Sequence, residues 1–116
     1  MDKLFKEHAQ SIRIYMATET QLDPYEHNIQ LTELHSLPIK AIVTDLIMSQ
    51  IEWKIPGIET NKAKEIIIKK KYRSLLEKSV KIKVDDDLYE GWKINGRMQI
   101  REEGDYCRCY IYIKKV

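Results

Sequence analysis

Two turn signals a strand-length apart, Asn95-Gly96 and Glu103-Gly104-Asp105, constrain this chain more than any other feature. Such pairs supply the positive-φ residues of tight hairpins, so the C-terminal third reads as antiparallel strands folded back on one another. Register can be argued from the side chains. A two-residue turn at Asn95-Gly96 would pair Ile94 with Arg97 and set Trp92 opposite Gln99, mixing apolar with polar. A three-residue loop, Ile94-Asn95-Gly96, with a type I turn and a bulge, pairs Lys93 with Arg97 and Trp92 with Met98 instead. Trp92, Met98 and Ile100 then share a face. A four-residue loop from Glu102 to Asp105 would set Ile100 opposite Cys107 and Met98 opposite Cys109, adding Ile111 and Ile113 to that face. Tyr106, Arg108, Tyr110 and Tyr112 fall on the other face.

Alternation predicts further strands upstream. Ile12, Ile14 and Met16 alternate with Arg13, Tyr15 and Ala17, giving a first strand over Ser11 to Thr18. Asp23-Pro24 marks a turn, because proline steers the residue before it away from helix. A short second strand, Ile29 to Leu34, follows. Ile39 to Val43, after Pro38, is β-branched and apolar apart from Lys40, as a central strand requires.

From Lys64 to Ser79 the propensities conflict, with Ile66-Ile67-Ile68 favouring strand and Lys, Glu and Leu favouring helix. At about 100° per residue no single apolar face emerges, so one long helix is rejected. A strand, Glu65 to Lys70, and a short helix or turn around Tyr72 to Lys78 replace it. Val80, Ile82 and Val84 form the next strand, ending at Asp85-Asp86-Asp87. The expectation is an all-β, mainly antiparallel fold with at most one short helix.

Pro56-Gly57 places a turn within Gln50 to Asn61, read as a long protruding loop. Trp53, Ile55 and Ile58 flank that turn. Either they fold back as a satellite cluster, or an apolar tip projects in order to dock on something.

Little in the chain points to catalysis. Cys107 and Cys109 are two apart, on one face of a strand and about 6.5 Å apart along its axis, so neither a disulfide nor a C-x-x-C site follows. Four convergent ligands make a structural zinc site, and no histidine lies near them in sequence. His8, His27 and His35 are scattered in or beside turns. Asp85, Asp86, Asp87 and Glu90 lack the spacing and glycine of a calcium loop and read as a solvated turn. No phosphate-binding glycine motif occurs, and no metal or cofactor is expected.

Length and charge bound the rest. The chain has 116 residues, 43% of them hydrophobic, and a net charge of +2, which suits one domain with a real core and argues against a dedicated duplex-binding protein. No apolar run is long enough to span a bilayer, and Met1 to Gln10 lacks the apolar stretch of a signal peptide, so a soluble, non-secreted protein is expected. The sharpest charge asymmetry runs from Lys62 to Lys83, where nine basic residues meet only Glu65 and Glu77. That run reads as a solvated strand face or as a surface that approaches phosphates without reading sequence.

Several blocks, in order and spacing, carry a resemblance. They are Ile12-Arg13-Ile14-Tyr15 with Thr18-Glu19-Thr20, Pro38 to Val43, Trp53-Lys54-Ile55-Pro56-Gly57-Ile58 with Thr60, Tyr72 to Leu76, and Tyr89 to Arg97. Over about residues 11–113 the chain resembles small head-tail connector proteins of tailed bacteriophages, of the head-closure or stopper type found in siphoviruses of Gram-positive hosts.

The resemblance implies a small single-domain β-barrel, with residues 1–10 as an N-terminal arm. Such a barrel joins a ring beneath the portal and adaptor, meets the tail, and retains packaged DNA. It implies that Trp53, Lys54, Ile55, Pro56, Gly57 and Ile58 form a plug or docking loop. Lys69, Lys70, Lys71 and Arg73 become candidate DNA-proximal residues, and Tyr106, Arg108, Tyr110 and Tyr112 a candidate subunit interface, since Tyr and Arg are enriched where proteins meet. The alternative to that interface is contact within the same barrel. A competing class is an OB-like barrel that binds single-stranded nucleic acid. An adaptor or another neck component is the nearer alternative, and the absence of a long helix favours the stopper.

Overall fold

Strand alternation decides what lies inside. The computed structural model describes residues 2–16 and 36–114. Its strands are β1 (Gln10–Met16), β2 (Ser36–Asp45), β3 (Lys62–Lys69), β4 (Ser79–Val84), β5 (Asp87–Gly91), β6 (Lys93–Ile94), β7 (Arg97–Met98), β8 (Ile100–Glu103) and β9 (Tyr106–Ile113). Helices are α1 (Asp2–His8), α2 (Met48–Lys54) and α3 (Arg73–Glu77), the last entered through a 3-10 turn, Lys70–Tyr72. The strand expected at Ile29 to Leu34, the Asp23-Pro24 turn, His27 and His35 lie outside the described residues.

Strands β1, β2, β3, β9, β5 and β4 pair antiparallel in that order, and β4 pairs back onto β1. The result is a closed six-stranded antiparallel barrel, the all-β class that the sequence predicts. Closure removes the exposed edges that an open sheet would carry. Inward residues of every wall meet in one core: Ile12, Ile14, Ile39, Ala41, Ile66, Ile68, Ile82, Val84, Tyr89, Cys107, Cys109 and Ile111, together with Leu76 from α3. Pro38 is tolerated within β2 because β3 pairs only with Ile42 to Asp45, which leaves an edge free at Pro38 among the described residues.

The C-terminal hairpins correct the expected registers. Lys93 pairs with Met98 and Ile94 with Arg97, so the turn has two residues, not three. Asn95 and Gly96 have φ of 54° and 77°, the double positive φ of a type I′ turn, whose twist matches the flanking strands. The mixing of Trp92 with Gln99 that weighed against this register is relieved by a break in the ladder. Trp92 turns to β9, donating its N–H to the Tyr110 carbonyl at 2.8 Å, and it accepts from the Gln99 N–H at 3.1 Å. Met98 folds over Gly91, where a Cβ would lie 2.5 Å from the Met98 methyl carbon. Trp92 therefore leaves the face it was expected to share with Met98 and Ile100.

The next turn is also shorter than expected. Glu103 pairs with Tyr106 and Ile100 with Cys109, around Gly104-Asp105 with Gly104 at φ 59°. The register differs from expectation by two residues. An even shift leaves every side chain on its expected face, which is why Cys107, Cys109 and Ile111 still point inward.

Among the described residues there are three short helices where the sequence predicts at most one. Helix α1 forms within the arm and buries Phe5 against Tyr106, with ring centroids 5.3 Å apart. Helix α2 occupies much of the expected loop. Ile51 and Ile55, four residues apart, share one side of it, and the Gln50 side chain accepts the Ile47 N–H at 3.0 Å as half of a capping box. The short helix or turn expected around Tyr72 to Lys78 is present as α3, Arg73–Glu77.

Candidate functional site

The stretch from β2 to β3 builds an annex on the barrel's outer wall. Leu46, Ile51, Ile55 and Ala63 are buried there, with Ile58, Trp92, Tyr110 and Tyr112 half-buried around them. The annex is clipped at both ends. Leu46 N–H donates to the Ala63 carbonyl at 3.0 Å, and the buried Thr60 hydroxyl donates to the Ile113 carbonyl at 2.5 Å. Gly57, at φ 83° beside exposed Pro56, turns the chain away from α2.

This divides the expected docking loop. Ile55 is 0% exposed and Ile58 packs into the annex, so neither forms an apolar tip; the fold-back reading describes them. Lys54 bonds Glu65 at 3.4 Å and sits 5.5 Å from the Tyr110 ring centroid. Trp53 alone of the three apolar residues points outward, 86% exposed, with Ile47 at 64% and Met48 at 58% on the same helix and its cap. A lone surface Leu would mean little, but a tryptophan this exposed leaves a large apolar area in water.

The tyrosine face contacts its own chain. Tyr106 is covered by Phe5 and donates its hydroxyl to Asp2; that bond, with burial, pushes its pKa up to about 12. Arg108 donates to Glu103 at 3.2 Å and faces Glu65 at 3.7 Å. Tyr110 meets Trp92 edge-on, centroids 6.3 Å apart, and Tyr112 closes the annex beside it. The contact-within-the-barrel reading therefore accounts for most of this surface.

The basic run separates into bound and unbound charges. Lys62 bonds Asp87, Lys64 bonds Asp45, and Lys81 bonds Glu90 at 2.8 Å. Arg73 is held by Glu77 and Glu102, and Lys70 lies 3.4 Å from Glu102, whose carboxyl stays below its ordinary pKa because Arg73 bonds it. Of the four expected DNA-proximal residues, only Lys69 and Lys71 make no ion pair among the described residues. They lie against rings, Lys69 5.8 Å from the Phe5 centroid and Lys71 5.1 Å from that of Tyr72.

Cys107 and Cys109 are free thiols in the barrel core, and burial raises both pKa values, so neither is poised as a thiolate. Asp85 and Asp86 are exposed in the two-residue turn between β4 and β5, with Asp85 at φ 55°, as the solvated-turn reading expects, whereas Asp87 and Glu90 lie in β5 and accept from Lys62 and Lys81. Among the described residues no group of three or more His, Cys, Asp or Glu could hold a metal ion, and no helix is long and apolar enough to cross a membrane.

Sequence reasoning missed α2 and with it the exposure of Ile47 and Met48. The signal was the four-residue spacing of Ile51 and Ile55, masked by the Pro56-Gly57 turn. Fold and site together define a small closed antiparallel β-barrel with a helical annex that presents an exposed tryptophan. Compared with protein-family models, with curated proteins and with solved structures, the chain matches none.

Proposed function

We propose that this chain is a structural connector of the phage neck, of head-closure type, joining the portal and adaptor to the tail in a ring and retaining packaged DNA. It would act in the virion neck and be assembled in the host cytoplasm. Trp53 carries the reading. It rides on a helix whose opposite side is anchored by Ile51 and Ile55, so its exposure is held in place by the annex. A ring needs one patch on each subunit that meets a different patch on the next, and a rigidly presented apolar anchor suits such a contact. Among the described residues the α-helices run only 5 to 7 residues, which supports the stopper over the adaptor.

The OB-like reading draws less support. That fold is five-stranded and binds bases on open aromatic faces. Here six strands close the barrel, Tyr106 lies under Phe5, and Tyr110 and Tyr112 pack into the annex.

The test is genetic. Deleting the gene from its phage or prophage and inducing it should leave free tails beside heads that have lost their DNA, seen by electron microscopy. Intact tailed virions would sink the proposal. In complementation, Trp53→Asp should leave stability within about 0.5 kcal/mol, as surface changes do, yet fail to restore virions. Ile58 is a poor choice for the same substitution, because an aspartate there would damage the annex itself.

A further inference from the structure

Beyond the annex, α1 lies against the barrel wall and leaves a cleft of about 300 Å³ lined by Phe5, Lys6, Ala9, Lys40, Lys69 and Tyr72. Half of that lining is lysine, drawn from α1, β2 and β3, and no carboxylate lines it. An adjoining depression of about 320 Å³ shares Lys69 and adds Lys70 and Lys71 beside Asp2 and Asp105. Asp2 is already engaged by the Tyr106 hydroxyl.

Much of the basic run differs chemically from this cleft. Lys62, Lys64, Lys81 and Arg73 are neutralised by carboxylates, whereas Lys6, Lys40, Lys69 and Lys71 make no ion pair among the described residues. Ammonium groups gathered without a counter-charge repel one another, and an anion seated among them relieves that repulsion.

We infer that this cleft holds the phosphodiester backbone of a nucleic-acid strand and does not read its bases. Lysine is a point charge suited to phosphate, whereas planar carboxylates are best met by the arginine fork. Arg73 and Arg108 are both occupied by glutamates, so the cleft offers an acidic peptide no free fork. Phe5 is buried and Tyr72 half-buried with Lys71 over its ring, so no open ring awaits a base. Contacts of this kind position a strand without specifying sequence. The inference rests on the neck reading only in one respect: three lysines per subunit bind weakly, and a ring multiplies them around one DNA.

The isolated chain tests it by NMR, with an oligothymidylate titrated at low salt. Amides of Lys6, Lys40, Lys69 and Tyr72 should shift, with affinity falling with salt at a log-log slope of about −2, as for roughly three phosphate contacts on a single strand. Lys40→Glu with Lys69→Glu should weaken binding by about tenfold or more, while Lys81→Glu should not. Absence of shifts at the cleft would overturn the inference. Equal shifts with an oligoglutamate of the same length would overturn it in favour of an acidic peptide, and equal affinity for inorganic phosphate would reduce the cleft to a general anion site. If the oligonucleotide fails while the deletion still gives emptied heads, the cleft assignment falls and the neck reading stands. Binding alongside intact tailed virions would mean the reverse.

Discussion

The barrel interior and the annex share the wall made by β3 and β9, yet they are held together in different ways. Inside, residues from Ile12 to Ile111 meet because six strands pair around a closed circuit, so apart from the β4–β5 hairpin the walls join chain segments far apart in sequence. The annex is mostly one connection, from Leu46 to Ala63, folded back on itself and laid over Tyr110 and Tyr112. The barrel core holds thirteen buried residues with seven partly buried ones packed against them, whereas the annex holds four of each and leaves Trp53 outside. Stability therefore resides in the barrel, and the surface offered to other molecules resides in the annex and at α1. A local unit can change its outer face without disturbing long-range pairing.

Truncating one residue on each side should make the difference visible. Ile66→Ala opens a cavity in the barrel core and should cost about 2 to 5 kcal/mol in a single cooperative denaturant transition. Ile55→Ala removes as many methylenes from a site that is also 0% exposed. The open rim of the annex can collapse onto the gap, so the loss should sit near the low end, about 2 kcal/mol. Hydrogen exchange would sharpen the comparison: the Ile55 variant should expose the amides of α2 while β3 and β9 keep their protection. Loss of protection in both regions together would show that annex and barrel are one cooperative unit and break the distinction.

The same distinction explains what was legible in the sequence. Faces were readable wherever a strand has one inward and one outward side, as in Cys107-Arg108-Cys109-Tyr110-Ile111, because alternation is an intrinsic property of the pleat. Registers were not, since a turn signal admits several loop lengths and the real choice turned on a local escape, Met98 folding over Gly91. Strand β5 is hidden in the sequence because Asp87-Leu88-Tyr89-Glu90-Gly91 carries only one residue that ends fully buried, Tyr89. Of the expected site, Trp53 was visible by its bulk beside a turn, but its separation from Ile55 depends on helical geometry hidden by Pro56. Lys6 and Lys40 join Lys69 only through folding across the wall, and no spacing in the chain announces that. In the sequence Lys40 stands out solely as the polar break in an apolar run.

The smallest expected effect lies at the seam between the two regions. Glu90 on β5 faces Tyr112, a member of the annex, and accepts a hydrogen bond from Lys81 on the barrel at 2.8 Å. That bond holds the Glu90 carboxyl below its ordinary value of 4.5, against the opposing effect of burial. A carboxylate whose pKa is lowered by folding adds stability above its unfolded value, and that contribution disappears as pH falls through the folded one. Both partners are substantially exposed, at 32% and 41%, so screening limits the gain to about 0.5 kcal/mol. Glu90→Gln should thus be less stable than the parent near neutrality by about that amount, with the two denaturant curves converging in acid below the folded pKa. Raising the salt should narrow the neutral-pH gap. A gap that persists in acid would mean that Glu90 acts through packing against Tyr112, tying annex to barrel by contact, and the seam would then belong to the annex.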